Sequence, residues 1–242
     1  MKKTVAAIVA AVLAAVLTAC GSTDEAALAT TVSATSAAVE SPAPDSTWGF
    51  TATTVRLEGV GYSVDLPQVA GGKEDARTEF DKGMRAEADK FIRDAGPDIK
   101  VTGFRSEVAR IGRHVLSGVL GIEVDTGGAH PATYKATHVT DIDTATALTL
   151  PDLFTDLQQG LNVLSSQAAE LLPKTRVGTN FYFKEDLEPR VQNYERWVAT
   201  PAGMRIYLGE IASHAMGYID ITVPWSALDG VLKPGMRAVV SS

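Results

Sequence analysis

The chain has 242 residues with 22 basic and 29 acidic side chains, and its formal net charge is −7. This acidic balance argues against a nucleic-acid-binding protein, because affinity for phosphate backbones comes from clustered lysine and arginine. The single cysteine, Cys20, leaves no pair for a disulfide within the chain and no cysteine set for a metal site.

Residues 1–19 have the features of a bacterial secretory signal peptide. Two lysines follow Met1, and the 13 residues from Val5 to Leu17 carry no charge. A helix of that length spans about 20 Å, which is too short for a hydrocarbon core of about 30 Å. The next residues end in Leu-Thr-Ala-Cys, which resembles the bacterial lipobox, where the cysteine sulfur receives a diacylglycerol and cleavage makes that cysteine the new N-terminus.

This resemblance predicts that Cys20 is lipidated and anchors the chain to the extracytoplasmic face of the cell membrane. A plain signal peptide that happens to contain a cysteine is the alternative. Residues 20–47 are then a disordered tether, because alanine, serine, threonine and proline dominate them and aromatic residues are absent. Loss of residues 1–19 removes two lysines, which leaves 20 basic against 29 acidic side chains and a net charge of −9.

Residues 48–242 are predicted to form a single domain, with an N-terminal lobe over 48–103 and a main lobe over 104–242. Alternation over Gly61–Pro67 predicts a strand that stops at the proline. Apolar residues then recur at helical spacing and predict a helix over Ala76–Asp94. Its buried stripe consists of Phe80, Met84, Ala88, Phe91 and Ile92.

Three β-branched segments, at residues 105–112, 113–127 and 132–143, predict an antiparallel meander. A second amphipathic helix follows over Asp156–Leu172, and strands near the C-terminus include a hairpin turned by Thr-Pro-Ala-Gly. The fold class is therefore α+β, with an antiparallel sheet from the central and C-terminal strands packed against two main helices. The buried side of the second helix comprises Leu157, Leu161, Leu164, Ala168, Leu171 and Leu172.

Three segments resemble the RsiV-type extracytoplasmic domain of unknown function. They are TGGAHP at 126–131, TDIDTATALTLPDLF at 140–154 and YLGEIASHAMGYIDITVPW at 207–225. The matching positions are Gly127, Gly128, Ala129, His130, Asp141, Thr144, Leu148, Leu150, Asp152, Leu153, Phe154, Glu210, Ile211, Ala212, Gly217 and Pro224.

The resemblance implies a compartment more than an activity. Members of that family are surface lipoproteins, secreted actinobacterial antigens, the lysozyme-binding sensor of an anti-sigma factor, and non-catalytic modules beside cell-wall deacetylases. The sequence departs from the family in two places. Ala145 stands where the family has a turn glycine, so this turn differs or accepts a left-handed alanine, and Gly209 stands where an aromatic residue often precedes Glu210.

No motif for catalysis, metal binding or a cofactor is present in the sequence. The four histidines, His114, His130, His138 and His214, form neither HExxH nor a close helical pair, and no GxSxG precedes a helix. Ser213 and His214 are neighbours, which does not make them a nucleophile–base pair. A triad of distant residues, or two carboxylates across a cleft, stays open.

The residues singled out as a candidate binding or structural loop are Gly127, Gly128, His130, Tyr134, Asp152 and Glu210. A histidine before proline is held in extended geometry. The structural interpretation is that the His130 ring hydrogen-bonds a backbone group or a carboxylate, with Asp152 and Glu210 as possible partners. The functional interpretation is that His130 belongs to a binding surface.

Three hypotheses for the function follow. The first is a cell-envelope binding or sensing module, the second a secreted hydrolase (esterase or cell-wall glycan-active) with a non-standard site, and the third a structural envelope component. For a binding module, the charge of −9 favours a cationic protein such as lysozyme, or a neutral cell-wall glycan, over an anionic polymer. No cofactor and no nucleic acid are expected.

Overall fold

The computed structural model describes residues 48–179, 184–209, 211–212 and 216–242. Cys20, the predicted signal peptide and the predicted tether lie outside the described residues, and so do Glu210 and His214. Among the helices within the described part, none is both long and apolar enough to cross a membrane.

The first half of this part forms a seven-stranded sheet with one long helix. In chain order its elements are β1 (Phe50–Gly59), β2 (Tyr62–Gly71), α1 (Glu74–Ile92), β3 (Lys100–Gly103), β4 (Glu107–Ile111), β5 (Val115–Asp125), β6 (Ala132–Asp141) and β7 (Thr146–Ala147). The strand order is β1-β2-β3-β5-β6-β7, and β4 pairs with β5 on the side that β3 also occupies. The β2–β3 pair is parallel and the other described pairs are antiparallel.

The second half forms a three-stranded antiparallel sheet and several helices. Its elements are α2 (Leu150–Leu153), α3 (Leu157–Leu171), two 3₁₀ turns (Leu172–Lys174 and Lys184–Leu187), α4 (Val191–Tyr194), β8 (Trp197–Thr200), β9 (Gly203–Leu208), β10 (Ile219–Pro224), α5 (Trp225–Leu228) and α6 (Met236–Val240). The strand order is β10-β9-β8.

The α+β class is confirmed, with two long helices within two residues of their predicted bounds. The single sheet predicted for the central and C-terminal strands is instead two sheets. Two N–H groups of β8 do not extend the β5–β6 ladder but bind side-chain hydroxyls of the larger sheet. The Trp197 N–H donates to Thr137 Oγ1 at 3.1 Å, and the Ala199 N–H donates to Ser117 Oγ at 3.1 Å. Side chains therefore join the two sheets where a ladder was expected.

The N-terminal hairpin extends further than predicted. Strand β1 was not predicted, and β2 continues through Pro67 to Gly71 with Pro67 opposite Thr54. Strand β3 pairs with β2 only at Tyr62 and Ser63, so within the described sheet the outer side of β2 has no strand partner at Pro67. A proline is tolerated there as on an edge strand, because no ladder bond needs its missing N–H.

Two apolar cores flank the junction of the sheets. The predicted stripe of α1 is buried at Phe80, Met84 and Ala88, against β2, β5 and β6. The stripe of α3 is buried at Leu161, Leu164 and Ala168, and it packs with the smaller sheet, α5 and α6. The periodicity therefore predicted the inward face of both long helices.

Tyr194 gives the second core a pH-dependent contribution to stability. Its buried hydroxyl donates to the Leu187 carbonyl at 2.6 Å, and burial raises the pKa of the phenol to about 12. The folded chain thus holds this proton more tightly than the unfolded chain does. The resulting stabilisation is complete below pH 10 and is lost as the pH rises towards about 12.

We expect Tyr194→Phe to remove about 2 to 3 kcal/mol of this alkaline loss, at about 1.4 kcal/mol per pKa unit. At neutral pH the variant should be only about 1 kcal/mol less stable, because the Ser165 hydroxyl still donates to the Leu187 carbonyl. Urea unfolding at neutral and alkaline pH measures both effects. Some alkaline loss should remain, since burial also raises the pKa of Tyr207. Identical pH dependence in parent and variant would refute the assignment.

Candidate functional site

The motif residues at the β6–β7 turn organise the backbone. Asp141 is buried, and its Oδ1 accepts the N–H groups of Asp143 at 2.8 Å and Thr144 at 3.1 Å. Ala145 has a φ of 54°, so the left-handed alanine is the alternative that the structure adopts. This part of the motif closes a turn, in agreement with a structural role.

Asp152, one of the predicted site residues, caps a helix. Its Oδ2 accepts the Thr149 N–H at 2.9 Å and the Thr149 hydroxyl at 2.5 Å, which forms a capping box at the start of α2. The hydrogen bond from the Thr149 hydroxyl lowers the pKa of the Asp152 carboxyl. The neighbouring motif residues belong to the second core and comprise Leu148, Leu150, Leu153 and Phe154.

The TGGAHP turn joins β5 to β6 and is exposed throughout. Gly127 has a φ of 80°, and its N–H donates to Asp125 Oδ1 at 2.8 Å. His130 is exposed and forms no hydrogen bond with any residue in the described part of the chain, so the expected bond to Asp152 is not made. The turn lies at one end of β6, whereas α2 follows β7, which pairs with the other end of β6. Glu210, the other expected partner, lies outside the described residues.

Tyr134 is the predicted site residue that lies in a groove together with other functional side chains. The groove has a volume of about 850 Å³ and lies between the two sheets. Its lining comprises Phe104, Arg105, Ser106, Glu107, Gly121, Thr133, Tyr134, Lys135, Arg176, Arg205, Tyr207, Met216, Gly217, Tyr218 and Asp220. Tyr134 also contacts Phe91 of α1, with ring centroids 5.5 Å apart.

A strained backbone segment forms one wall of this groove. Between β3 and β4, the Phe104 N–H donates to the Gly121 carbonyl at 2.8 Å, and the Gly121 N–H donates to Ser106 Oγ at 3.1 Å. Arg105 has a φ of 51°, which is rare for a residue with a side chain. A Cβ on Gly121 would lie 1.7 Å from the Phe104 carbonyl oxygen, so the close approach requires glycine.

The strained segment presents an aromatic ring and a guanidinium together. Phe104 is 39% exposed, and the Arg105 guanidinium lies 4.8 Å from the centroid of its ring. A similar pair comes from both sheets, because Lys135 Nζ of β6 lies 4.9 Å from the ring centroid of Tyr207 on β9. Two cation–aromatic pairs therefore line the groove.

The opposite wall is fixed by backbone contacts of Arg176. Its guanidinium donates to the carbonyl oxygens of Met216 at 2.7 Å and Tyr218 at 2.6 Å. A Cβ on Gly209 would lie 2.9 Å from the Tyr218 ring. An aromatic residue at position 209 would therefore require the Tyr218 ring to move, and here the Tyr218 ring occupies that space beside the groove.

The groove differs in charge from the chain as a whole. Its lining has four basic residues (Arg105, Lys135, Arg176 and Arg205) and two acidic residues (Glu107 and Asp220), which gives +2 against −7 for the chain. Burial lowers the pKa of Lys135, and the carboxylates of Asp220 and Glu107 oppose that effect. The net charge of the chain does not describe this surface.

A second cavity, of about 600 Å³, is lined in part by His138, whose imidazole pairs with Glu79 of α1. His138 Nε2 lies 3.0 Å from Glu79 Oε1, and the Thr140 hydroxyl donates to the other oxygen of Glu79. His138 also packs against Gly83, where a Cβ would lie 2.1 Å from the imidazole. These contacts tie β6 to α1.

The hydroxyl side chains that line this second cavity in the described chain are Thr137 and Thr149. Thr137 accepts the Trp197 N–H, and Thr149 donates to Asp152. Neither is hydrogen-bonded to His138, and the Thr140 hydroxyl beside the pair donates to Glu79, so among the described residues no hydroxyl is hydrogen-bonded to the imidazole. Over the described ranges, no group of three or more His, Cys, Asp and Glu side chains is placed to hold a metal ion.

Most groove residues were not predicted from the sequence. Of the predicted site residues that the structure describes, Tyr134 is the one that lines the groove, and the additional residues come from β3 to β6, the segment around Arg176, and β9 to β10. One local signal was present. Gly103-Phe104-Arg105-Ser106 interrupts the strand pattern with a large apolar residue beside a charge, which is typical of a bulge that redirects side chains.

The fold and the groove define an α+β domain with an open, ligand-sized groove between two sheets. A family model described as "Protein of unknown function (DUF3298)" matches residues 151–226. That stretch includes one wall of the groove, with Arg205, Tyr207 and Tyr218, whereas Phe104 and Tyr134 precede it. No curated protein matches the chain.

Two solved structures of members of that family are similar to this chain. The one from Bacteroides fragilis NCTC 9343 is 16% identical, covers 80% of this chain and 97% of its own, and has a TM-score of 0.53. The one from Pseudomonas aeruginosa PAO1 is 14% identical, covers 77% and 95%, and has a TM-score of 0.49. The similarity to the Bacteroides fragilis structure supports the fold.

Proposed function

We propose that this protein is a lipid-anchored binding module of the bacterial cell envelope and that the groove between its sheets is the binding surface. The observation that carries the proposal is the segment at Phe104 and Arg105, whose strained backbone is held by a close approach to Gly121. Strain of this kind persists where the surrounding structure imposes it, and it is concentrated at functional sites. Here it exposes an aromatic ring and a cation, two groups enriched at recognition surfaces.

The groove is of the size and composition of a ligand site. Its volume of about 850 Å³ lies within the usual range of about 300 to 1,000 Å³ for small-molecule sites. The exposed ring of Phe104 offers apolar contact area, and charged groups beside it offer polar contacts. By contrast, the hydroxyls of Thr137 and Thr149, which line the second cavity, are hydrogen-bonded to Trp197 and Asp152 and not to His138. These features favour binding over hydrolysis.

The placement at the envelope rests on the lipobox of Cys20 and on the RsiV-type resemblance, with which the family match is compatible. A diacylglycerol contributes two chains at about 0.8 kcal/mol per buried CH₂, whereas a single chain binds membranes only weakly. We expect Cys20→Ser to move the protein out of the membrane fraction or to leave it unprocessed. Unchanged fractionation and an unchanged N-terminal mass would contradict lipidation.

Of the partner classes that the sequence favoured, the groove fits a cell-wall glycan better than a cationic protein. A lysozyme-like protein would face the net positive lining of the groove and would be repelled there. A cationic protein could bind only to the acidic surface outside the groove, and its binding is measured separately. The groove itself is assigned to glycan binding.

The experiment uses residues 20–242 carrying Cys20→Ser, named here the soluble chain. Its binding to purified peptidoglycan, lysozyme and a model ester is measured beside that of Phe104→Ala and His130→Ala variants. Glycan binding should fall about tenfold or more in Phe104→Ala, because the contact between the aromatic ring and the bound glycan is lost. It should not change in His130→Ala. Equal loss in both variants, or binding of lysozyme alone, would refute the groove as the glycan site. Ester turnover abolished by His138→Gln would instead establish the hydrolase.

A further inference from the structure

We infer that the groove recognises an acidic sugar unit, in which a carboxylate accompanies ring hydroxyls. This inference rests on the proposed binding function and adds the chemistry of the ligand. The inference depends on the combination of charged and aromatic side chains in the groove, because a neutral sugar would leave the basic side chains without a negatively charged partner.

The basic side chains call for an acceptor that carries negative charge. Arg105 and Arg205 line the same groove as Lys135, and a guanidinium or ammonium group only donates hydrogen bonds. A carboxylate accepts such bonds, and charge-assisted bonds are about twice as strong as neutral ones. The lining charge of +2 therefore selects a ligand with a negative group.

The acidic side chains call for donors on the same ligand. Glu107 and Asp220 lie close enough to Lys135 and Tyr207 to act on the pKa of each. An ionised carboxylate only accepts hydrogen bonds, so a purely anionic ligand would leave these oxygens facing like charge. Sugar hydroxyls supply the donors that they need.

The exposed ring of Phe104 supplies flat apolar surface beside these polar groups. Phe104 is 39% exposed and is one of the large apolar side chains that the described surface leaves most open, whereas the Tyr134 ring packs on Phe91 at the α1 side of the sheet. The C–H face of a sugar ring is apolar and matches such a surface in size. An acidic sugar therefore has a group for each kind of side chain in the lining: a carboxylate for the basic ones, hydroxyls for the acidic ones and a C–H face for the aromatic ring.

The overall charge limits how many acidic groups the ligand can carry. The chain at −7, or −9 after removal of residues 1–19, repels a long polyanion, whereas the groove attracts one acidic group locally. A short acidic oligosaccharide should therefore bind better than a long anionic polymer of the same units at low salt. Tighter binding of the short oligosaccharide than of the long polymer would distinguish a specific site from general attraction to negative charge.

The test compares two disaccharides that differ by one acidic substituent. The probes are N-acetylglucosaminyl-N-acetylmuramic acid and diacetylchitobiose, which lacks the lactyl carboxylate. Calorimetric titration of the soluble chain should show about tenfold tighter binding of the acidic probe, with the difference shrinking between about 50 mM and about 500 mM salt. An acidic peptide and a long anionic polymer complete the series.

The variant is Arg105→Asn, chosen because asparagine tolerates the left-handed backbone of position 105 while it removes the charge. It should reduce binding of the acidic disaccharide about tenfold and leave chitobiose binding within about twofold. The control is Arg85→Gln, on the exposed face of α1, which should change neither. Circular dichroism confirms that both variants are folded.

The outcomes separate the inference from the proposed function. Equal binding of the two disaccharides, lost in Phe104→Ala, would overturn the acidic-sugar inference and leave the groove as a glycan site. Binding of the acidic peptide in preference to both disaccharides, or tightest binding of the long polymer, would overturn the inference as well. Failure of every glycan, including intact peptidoglycan, would overturn both.

Discussion

The Leu164→Asp variant is expected to lose about 4 kcal/mol or more of its free energy of unfolding, because the change places an unpaired carboxylate in an apolar core. Leu164 lies on the inward face of α3, is fully buried, and packs in the core that also contains Leu161 and Trp225. A domain of ordinary stability, about 5 to 15 kcal/mol, would be largely unfolded near its working temperature. Urea unfolding followed by circular dichroism measures the loss.

Asn162→Asp provides the control for this prediction. It adds the same charge two residues away on the exposed side of α3, and it keeps the Oδ1 that accepts the Gln158 amide. Its free energy of unfolding should change by less than about 0.5 kcal/mol. If Leu164→Asp were as stable as Asn162→Asp, the packing of α3 described above would be wrong.

Gly121→Ala is expected to damage both stability and ligand binding. The new methyl group would lie 1.7 Å from the Phe104 carbonyl oxygen, and a backbone oxygen cannot rotate away as a side chain can. The chain segment at Phe104 and Arg105 would have to move, at about 3 kcal/mol, which is the upper part of the usual range for overpacking. Urea unfolding gives the stability, and titration with the acidic disaccharide gives the binding.

The matched control is Gly128→Ala in the TGGAHP turn. A Cβ at Gly128 meets no atom within 4 Å, and its φ lies outside the left-handed region. Stability and disaccharide binding should both remain within error of the parent. Unchanged binding in Gly121→Ala would show that the strained segment does not contribute to the binding site. Loss of binding in Gly128→Ala would show that the site lies at the TGGAHP turn.

Local patterns predicted the helices well and left two alternatives for the turn at Ala145. The apolar spacing of α1 and α3 is set by residues three and four positions apart, so the sequence alone defines the buried face. Likewise, the missing glycine at Ala145 restricts the turn to few conformations, of which the structure adopts a left-handed alanine. Interactions within a few residues govern both features.

The division into two sheets depends on contacts that no local pattern contains. The N–H groups of Trp197 and Ala199 bind hydroxyls that precede them by 60 and 82 residues. Ser117 and Thr137 look like ordinary strand residues in the sequence. Only the folded chain shows that their hydroxyls accept N–H groups of β8, the strand of the smaller sheet that lies against them.

The candidate site was predicted in part for the same reason. The motif residues Asp141 and Asp152 were noticed because they recur in a family, and the structure assigns them to a turn and a helix cap. The groove instead combines Phe104 with Tyr207 and Tyr218, about a hundred positions further along the chain. The net charge of the chain also gave the wrong expectation for the charge of the partner, because the lining of the groove is positive while the chain as a whole is negative.

An amide NMR titration of the soluble chain with the acidic disaccharide tests directly whether the groove binds the ligand. We expect the largest shift changes on residues 104–107, 133–135 and 205–207, around the groove. Residues 126–131 of the exposed turn and residues 148–151 of the second cavity should change little. Shift changes concentrated in either of those two segments, or no shift changes at a saturating concentration of the disaccharide, would contradict the groove as the binding surface.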